Sequence, residues 1–229
     1  PNVDILDSKI SFPKSFIKKH EVSPFLMESD IIKSAQKIPN ISGIRRGGTS
    51  LDPVMRGFRN AQLLVVVSNG IRIEGGCPNR MDPVTSHIDA AEVESINTVY
   101  GPAMLLYGPA IGGVLQLKLK ESQPMMLKKI SSKISLGYES ISKGMSGLAE
   151  VNGGNSKFFY RISGGYRNYG NYLTGDGSEV NSSYQKNYFN INGGIQLKKD
   201  KILRLSYIRS EGRDVLFAAL PMDEKHDFT

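Results

Sequence analysis

The sequence predicts a chain in two parts: an α+β domain over residues 1–124, then antiparallel β-strands of a large transmembrane β-barrel over residues 125–229. About five strands fall in this chain, too few to close a barrel. Three observations carry this reading. Glycine and proline crowd the stretch from Val99-Tyr100-Gly101-Pro102 to Gly112-Gly113-Val114-Leu115, which demands a compact, non-repetitive backbone path. Aromatic content shifts near Pro124, with six of the 19 Phe and Tyr before it and 13 after. Beyond it, apolar and polar residues alternate over ~10-residue stretches, the length a tilted strand needs to cross a bilayer.

The first part reads as mixed. Residues 28–36 predict a short helix with Ser29 or Asp30 as N-cap and Pro39 beyond its end. Residues 63–67 predict a buried strand, Ser68-Asn69-Gly70 a tight turn, and residues 71–73 the hairpin partner. Residues 88–94 predict one or two helical turns, and Val114 to Lys120 an alternating strand.

In the second part Ile134, Leu136 and Tyr138 share one face and Lys133, Ser135 and Gly137 the other. Phe158, Tyr160 and Ile162 oppose Phe159, Arg161 and Ser163. The same alternation recurs over residues 189–197 and 203–208. Turns near residues 153–156 and 198–200 are short, whereas residues 168–185 and those after 211 form long connections. Short turns at one end and long loops at the other are expected of an outer-membrane barrel. Tyr138, Tyr166, Tyr169, Tyr188 and Tyr207 are expected at strand ends. Five strands leave open edges and an apolar face, so the chain reads as the N-terminal piece of a larger protein, cleaved in a long outer loop.

Composition removes other classes. The net charge is +7, but pairs such as Arg45-Arg46 and Lys198-Lys199 are scattered among acids, so the footprint of a nucleic-acid binder is absent. No apolar run approaches the ~20 residues of a membrane-spanning helix. No signal peptide is visible, so the mature form is expected to begin near Pro1 or to have lost its front. Cys77 is the single cysteine and excludes an internal disulfide. No Ser/His/Asp set has a nucleophile context, and residues 101–113 do not open a helix as a phosphate cradle would, so no enzyme is predicted.

Four motifs stand in a fixed order. They are Ile44-Arg45-Arg46-Gly47 with Asp52-Pro53-Val54-Met55-Arg56-Gly57-Phe58; Leu64-Val65-Val66-Val67-Ser68-Asn69-Gly70-Ile71; Gly101-Pro102-Ala103 through Leu106-Tyr107-Gly108; and Gly112-Gly113-Val114. In this order, followed by barrel-type strands, the chain resembles the TonB-dependent outer-membrane transporters over residues 3–120. The resemblance implies a plug domain inside a barrel in the bacterial outer membrane. It implies a cargo bound on the plug's outer face and barrel loops, and opening by the TonB energising complex. The lipid bilayer and the remainder of the barrel are implied partners. The TonB-gripped segment is not visible before Val3. Asn97 and Tyr100 stand where family members commonly carry the Glu and Arg that pair plug with barrel, so no ionic lock is expected from those positions.

The cargo reading rests on Gly75-Gly76-Cys77-Pro78-Asn79-Arg80-Met81-Asp82-Pro83. A turn-rich loop can bring the Cys77 thiolate and the Met81 thioether to one point, and that soft donor pair selects Cu(I) over hard cations such as iron(III). The loop resembles the Cys-x-x-x-Met-Asp-Pro element of the TonB-dependent copper receptor branch, which implies copper as the transported ligand. Met222 and His226 are further candidate donors from a predicted outer loop, and His87 and the pair Met125-Met126 weaker ones. The alternatives are a small buried Cys77 over a packing Met81, an iron-siderophore or haem cargo, and a surface β-rich binding module.

Overall fold

The computed structural model describes residues 17–21, 30–68, 70–77, 79–124, 129–198, 201–218 and 226–228. The N-terminal part is built on two small sheets. The larger takes strands β1 (Ile17–Glu21), β5 (Leu63–Val67), β6 (Ile71–Arg72), β7 (Val93–Val99) and β8 (Gly113–Leu119) in the order β1-β7-β8-β5-β6. Only β5 and β8 run parallel, with Leu63 beside Gly113 and Val67 beside Leu117. The smaller sheet is β2 (Ile41–Arg45), β3 (Leu51–Met55) and β4 (Phe58–Arg59).

The continuous run over β5 makes a strand buried on both faces, as a central parallel strand requires. On one side Val65, Val67, Leu115, Leu117 and Ile96 join Ile31, Ile32, Leu51 and Met55 in the main core. On the other, Leu64, Val66, Val99, Ala103 and Val114 form a second cluster. The short helix α1 (Ile31–Ala35) is set by Asp30, whose carboxylate accepts the Ile32 N–H at 2.9 Å and the Leu51 N–H at 2.9 Å. One N-cap therefore fixes the helix start and its seat on β3. Residues 28 and 29 of the expected helix lie outside the described residues. Of residues 88–94, only Ala90–Glu92 is a 3₁₀ turn, and Val93 already starts β7. The β-branched and alternating residues after Glu92 favour a strand there.

The glycine-proline stretch forms a 3₁₀ helix (Gly101–Leu106) and returns into β8. Gly113 sits at φ +128°, where a side chain is strained, and a Cβ there would collide with the Met55 methyl.

The C-terminal part is an antiparallel sheet of β9 (Lys129–Glu139), β10 (Gly144–Gly154), β11 (Phe158–Tyr169), β14 (Tyr184–Lys198), β15 (Lys201–Val215) and β16 (His226–Phe228), each paired with its neighbour in this order. A small hairpin, β12 (Tyr172–Leu173) and β13 (Glu179–Val180), fills the connection between β11 and β14. Six strands stand where about five are expected; the addition is a three-residue β16. Residues 155–157 turn at one end of the sheet. Residues 140–143, 170–183 and 216–218 lie at the other. The sheet is open, an incomplete barrel wall.

Its two faces differ as the alternation predicts. Leu136, Tyr160, Ile162, Phe189, Ile191, Leu203 and Leu205 point away from the N-terminal domain, with Leu205 81% and Leu136 79% exposed. Phe159, Arg161, Ser163, Arg167, Lys186, Asn190 and Asn192 are buried against it. The aromatic expectation needs a correction. Tyr138, Tyr166 and Tyr169 do lie at or within three residues of a strand end, but Tyr207 falls in the middle of β15, and Tyr188, five residues into β14, is buried on the inner face. The phase of β14, fixed by its pairing with β11, puts even-numbered residues inside.

Candidate functional site

The loop of residues 75–82 follows β6 and stands at the end of the N-terminal domain nearest the long connections of the wall. It is closed by its own polar groups. The Asp82 carboxylate accepts the Gly76 N–H at 2.7 Å and the Cys77 N–H at 2.9 Å. The Arg80 N–H donates to the Cys77 carbonyl at 2.9 Å, which turns the chain through residues 77–80. The Arg80 guanidinium forms a two-point pair with Asp52 of β3, at 3.0 and 2.5 Å, and Asp52 is fully buried. Burial alone would raise the Asp82 carboxyl, but the N–H donors of Cys77 and Gly76 outweigh it and hold the group below the usual carboxylate range.

Cys77 is a free, half-buried thiol. Met81 is half-buried and packs against Tyr184, Val215 and Phe217 of the wall. Gly47 approaches Phe217 so closely that a Cβ would lie 2.7 Å from its ring, so the neighbouring loop leans on the same rim. His87 lies in the 3₁₀ turn Val84–His87, its Nε2 3.6 Å from Asp82. Burial pushes this imidazole down, more strongly than Asp82 pulls it up. His226 opens β16, with its backbone beside Val215. Met222 and the pair Met125-Met126 lie outside the described residues. Among the described residues no group of three or more His, Cys, Asp or Glu is arranged to hold a metal ion.

A second feature was not singled out in the sequence. The segment before β7 presents two carboxylates to the wall. Asp89 pairs with Arg167 of β11 through Nε at 2.8 Å and Nη2 at 2.9 Å, both side chains fully buried. Glu92 receives Arg161 at 2.7 and 3.1 Å and the Asn190 amide at 2.7 Å. Lys186 donates to the Ile88 carbonyl at 3.2 Å. Lower on the wall, Asn192 accepts from the Ser122 N–H at 2.8 Å and its hydroxyl at 2.6 Å. The domain is thus held by ionic pairs a few residues upstream of Asn97. Asn97 instead donates to Gln116 within the domain, and no lock forms through it. The available signal was Arg161, Arg167 and Lys186 at inward positions of otherwise alternating strands.

Between the domain and the outer end of the wall lies a cleft of about 460 Å³. Lys33, Arg45 and Gly48 line it on one side and Tyr169, Tyr172 and Tyr184 on the other.

Residues 10–114 match the family described as the TonB-dependent Receptor Plug Domain. This N-terminal domain is a TonB-dependent receptor plug. The plug and wall together superpose on the copper transporter OprC with a TM-score of 0.79 at 24% identity, over 89% of this chain and 31% of that one. The FrpB iron transporter from Neisseria meningitidis gives 0.69 at 17% identity, over 87% and 32%. By sequence, 144 residues are 26% identical to the ferric aerobactin receptor of Escherichia coli, which is 62% of this chain and 19% of the relative. The chain therefore spans about a fifth of that receptor and about a third of the two transporters. The fold expectation of a plug followed by the first strands of an incomplete barrel holds.

Proposed function

We propose that this chain is the plug and first wall segment of a TonB-dependent outer-membrane receptor that imports copper. Residues 1–124 act as the plug and residues 125–229 begin the barrel. The observation that carries the transport reading is the plug seated on a wall whose outer face is apolar. A surface binding module in water has no use for such a face, and a bilayer does. The proteins it resembles are receptors and transporters, which supports a role without covalent chemistry.

Copper is supported by the loop chemistry. Cys77 and Met81 are soft donors on a closed loop at the outer end of the plug, and soft sulfur ligands select Cu(I). Met222, which lies outside the described residues, and His226, which opens β16, are the candidate completing donors. TonB is the proposed energising partner.

A second reading, import of an iron chelate, is favoured by one observation. The cleft of about 460 Å³ is lined by tyrosines with Arg45 and Lys33. That volume suits a small organic ligand rather than a bare ion. The test is metal analysis of the full-length receptor purified in detergent, wild type against Cys77→Ala and Met81→Ala. Copper bound by the wild type and lost from Cys77→Ala supports the first reading. Copper content unchanged in both variants removes it.

A further inference from the structure

We infer that Asp82 is the positioning residue of the cargo loop: it holds the Cys77 peptide in place and touches no cargo itself. The inference rests on the copper reading above and says what makes that site rigid.

The backbone groups on both sides of Cys77 are tied. Its N–H is held by the Asp82 carboxylate at 2.9 Å and its carbonyl by the Arg80 N–H at 2.9 Å. The preceding N–H, that of Gly76, is held by the other Asp82 oxygen at 2.7 Å. Arg80 is in turn pinned to the plug core through buried Asp52. With the peptide groups on either side fixed, the Cys77 Cβ has a set direction, and the thiol retains only rotation about its χ1. A glycine- and proline-rich loop without these ties would present its sulfur from many directions, and binding would carry the cost of ordering it. Both Asp82 oxygens accept loop N–H groups, so the carboxylate acts through the loop. Arg80 sits at φ +59°, an unfavourable conformation for an arginine, held here by its two-point pair with Asp52.

Gly75 offers an independent approach to the same closure. A Cβ there would collide with the Asp82 backbone carbonyl, prying the loop open without removing a donor or acceptor.

The experiment is a Cu(I) competition titration of the full-length receptor in detergent against a chromophoric Cu(I) chelator. It compares wild type, Asp82→Asn, Asp82→Glu, Gly75→Ala and Cys77→Ala, with thermal unfolding recorded for each. Loss of an outer-shell partner typically weakens metal binding about 10–100-fold. Asp82→Asn and Gly75→Ala are expected to lose affinity in that range with an unchanged thermal midpoint. Asp82→Glu, which keeps two acceptor oxygens, is expected to recover part of the loss. If Asp82→Asn fails to fold, Gly75→Ala carries the test alone. Wild-type affinity in either variant, with Cys77→Ala inactive, overturns the positioning role and leaves the copper reading standing. An oxygen neighbour in the copper X-ray absorption spectrum that vanishes in Asp82→Asn makes Asp82 a ligand and likewise overturns it. Copper bound equally well by Cys77→Ala overturns the copper reading, and the inference falls with it.

Discussion

Single residues decide how the plug is held. Arg161 and Arg167 leave the wall to reach Glu92 and Asp89, and all four side chains are buried or nearly so. A buried pair contributes modestly as a whole, but removing one partner strands a charge at about 3–5 kcal/mol. Arg167→Ala is therefore expected to lower the stability of the refolded receptor by about that amount, read by chemical denaturation. It is also expected to expose the plug to protease. Gly113→Ala forces a side chain onto φ +128° beside the Met55 methyl and should destabilise by more than the ~1 kcal/mol typical of a point substitution. His87 gives a pH dependence. Its folded pKa lies below the ordinary 6.5, so the neutral form belongs to the folded state. Its contribution is full above about pH 6.5 and is lost as the pH falls toward the folded value. Plug stability should drop between pH 7 and 5, and His87→Gln should flatten that slope in thermal melts.

The elements show what the sequence made legible. The α1 cap, the β5–β6 hairpin and the strand β8 were readable because each has a local cause: Asp30, the apolar run with Gly70, and the alternation after Gly113. The wall strands were readable from period-two patterning. Strand β10 was hard to see because its glycines, Gly144, Gly147, Gly153 and Gly154, dilute the apolar face. The inward turn of Tyr188 depends on the β11–β14 register, which is a pairing property and leaves no local mark. The acidic clamp was missed for a similar reason, since Asp89 and Arg167 are 78 residues apart in sequence. The loop of residues 75–82 was legible as a loop, while the ties from Asp82 and Arg80 required coordinates. At this scale the two faces of β15 make opposite predictions. Leu205→Lys, on the apolar outer face, should cost about 2–4 kcal/mol in a bilayer if that position sits near the midplane. Ile208→Lys, on the inner face beside Asn190, should be tolerated. Folding titrations into lipid vesicles distinguish them.

For the molecule as a whole, the architecture separates two tasks. The polar inner face of the wall binds the plug by charge and hydrogen bonds, and the apolar outer face suits a membrane. The described strands leave β9 and β16 as open edges, and the chain spans only about a third of the larger transporter it resembles. The outer end gathers the Cys77 loop, the Met81 contact with Tyr184 and Phe217, and the tyrosine-lined cleft. The pairs of Asp89 with Arg167 and Glu92 with Arg161 tie the plug to the wall. The central claim is that copper is carried by the sulfur pair of this loop. It is tested most directly by metal content of the full-length receptor after copper loading, wild type beside Cys77→Ala. The account predicts stoichiometric copper in the wild type and its loss in the variant. Equal copper in both, or an iron chelate retained in place of copper, contradicts it.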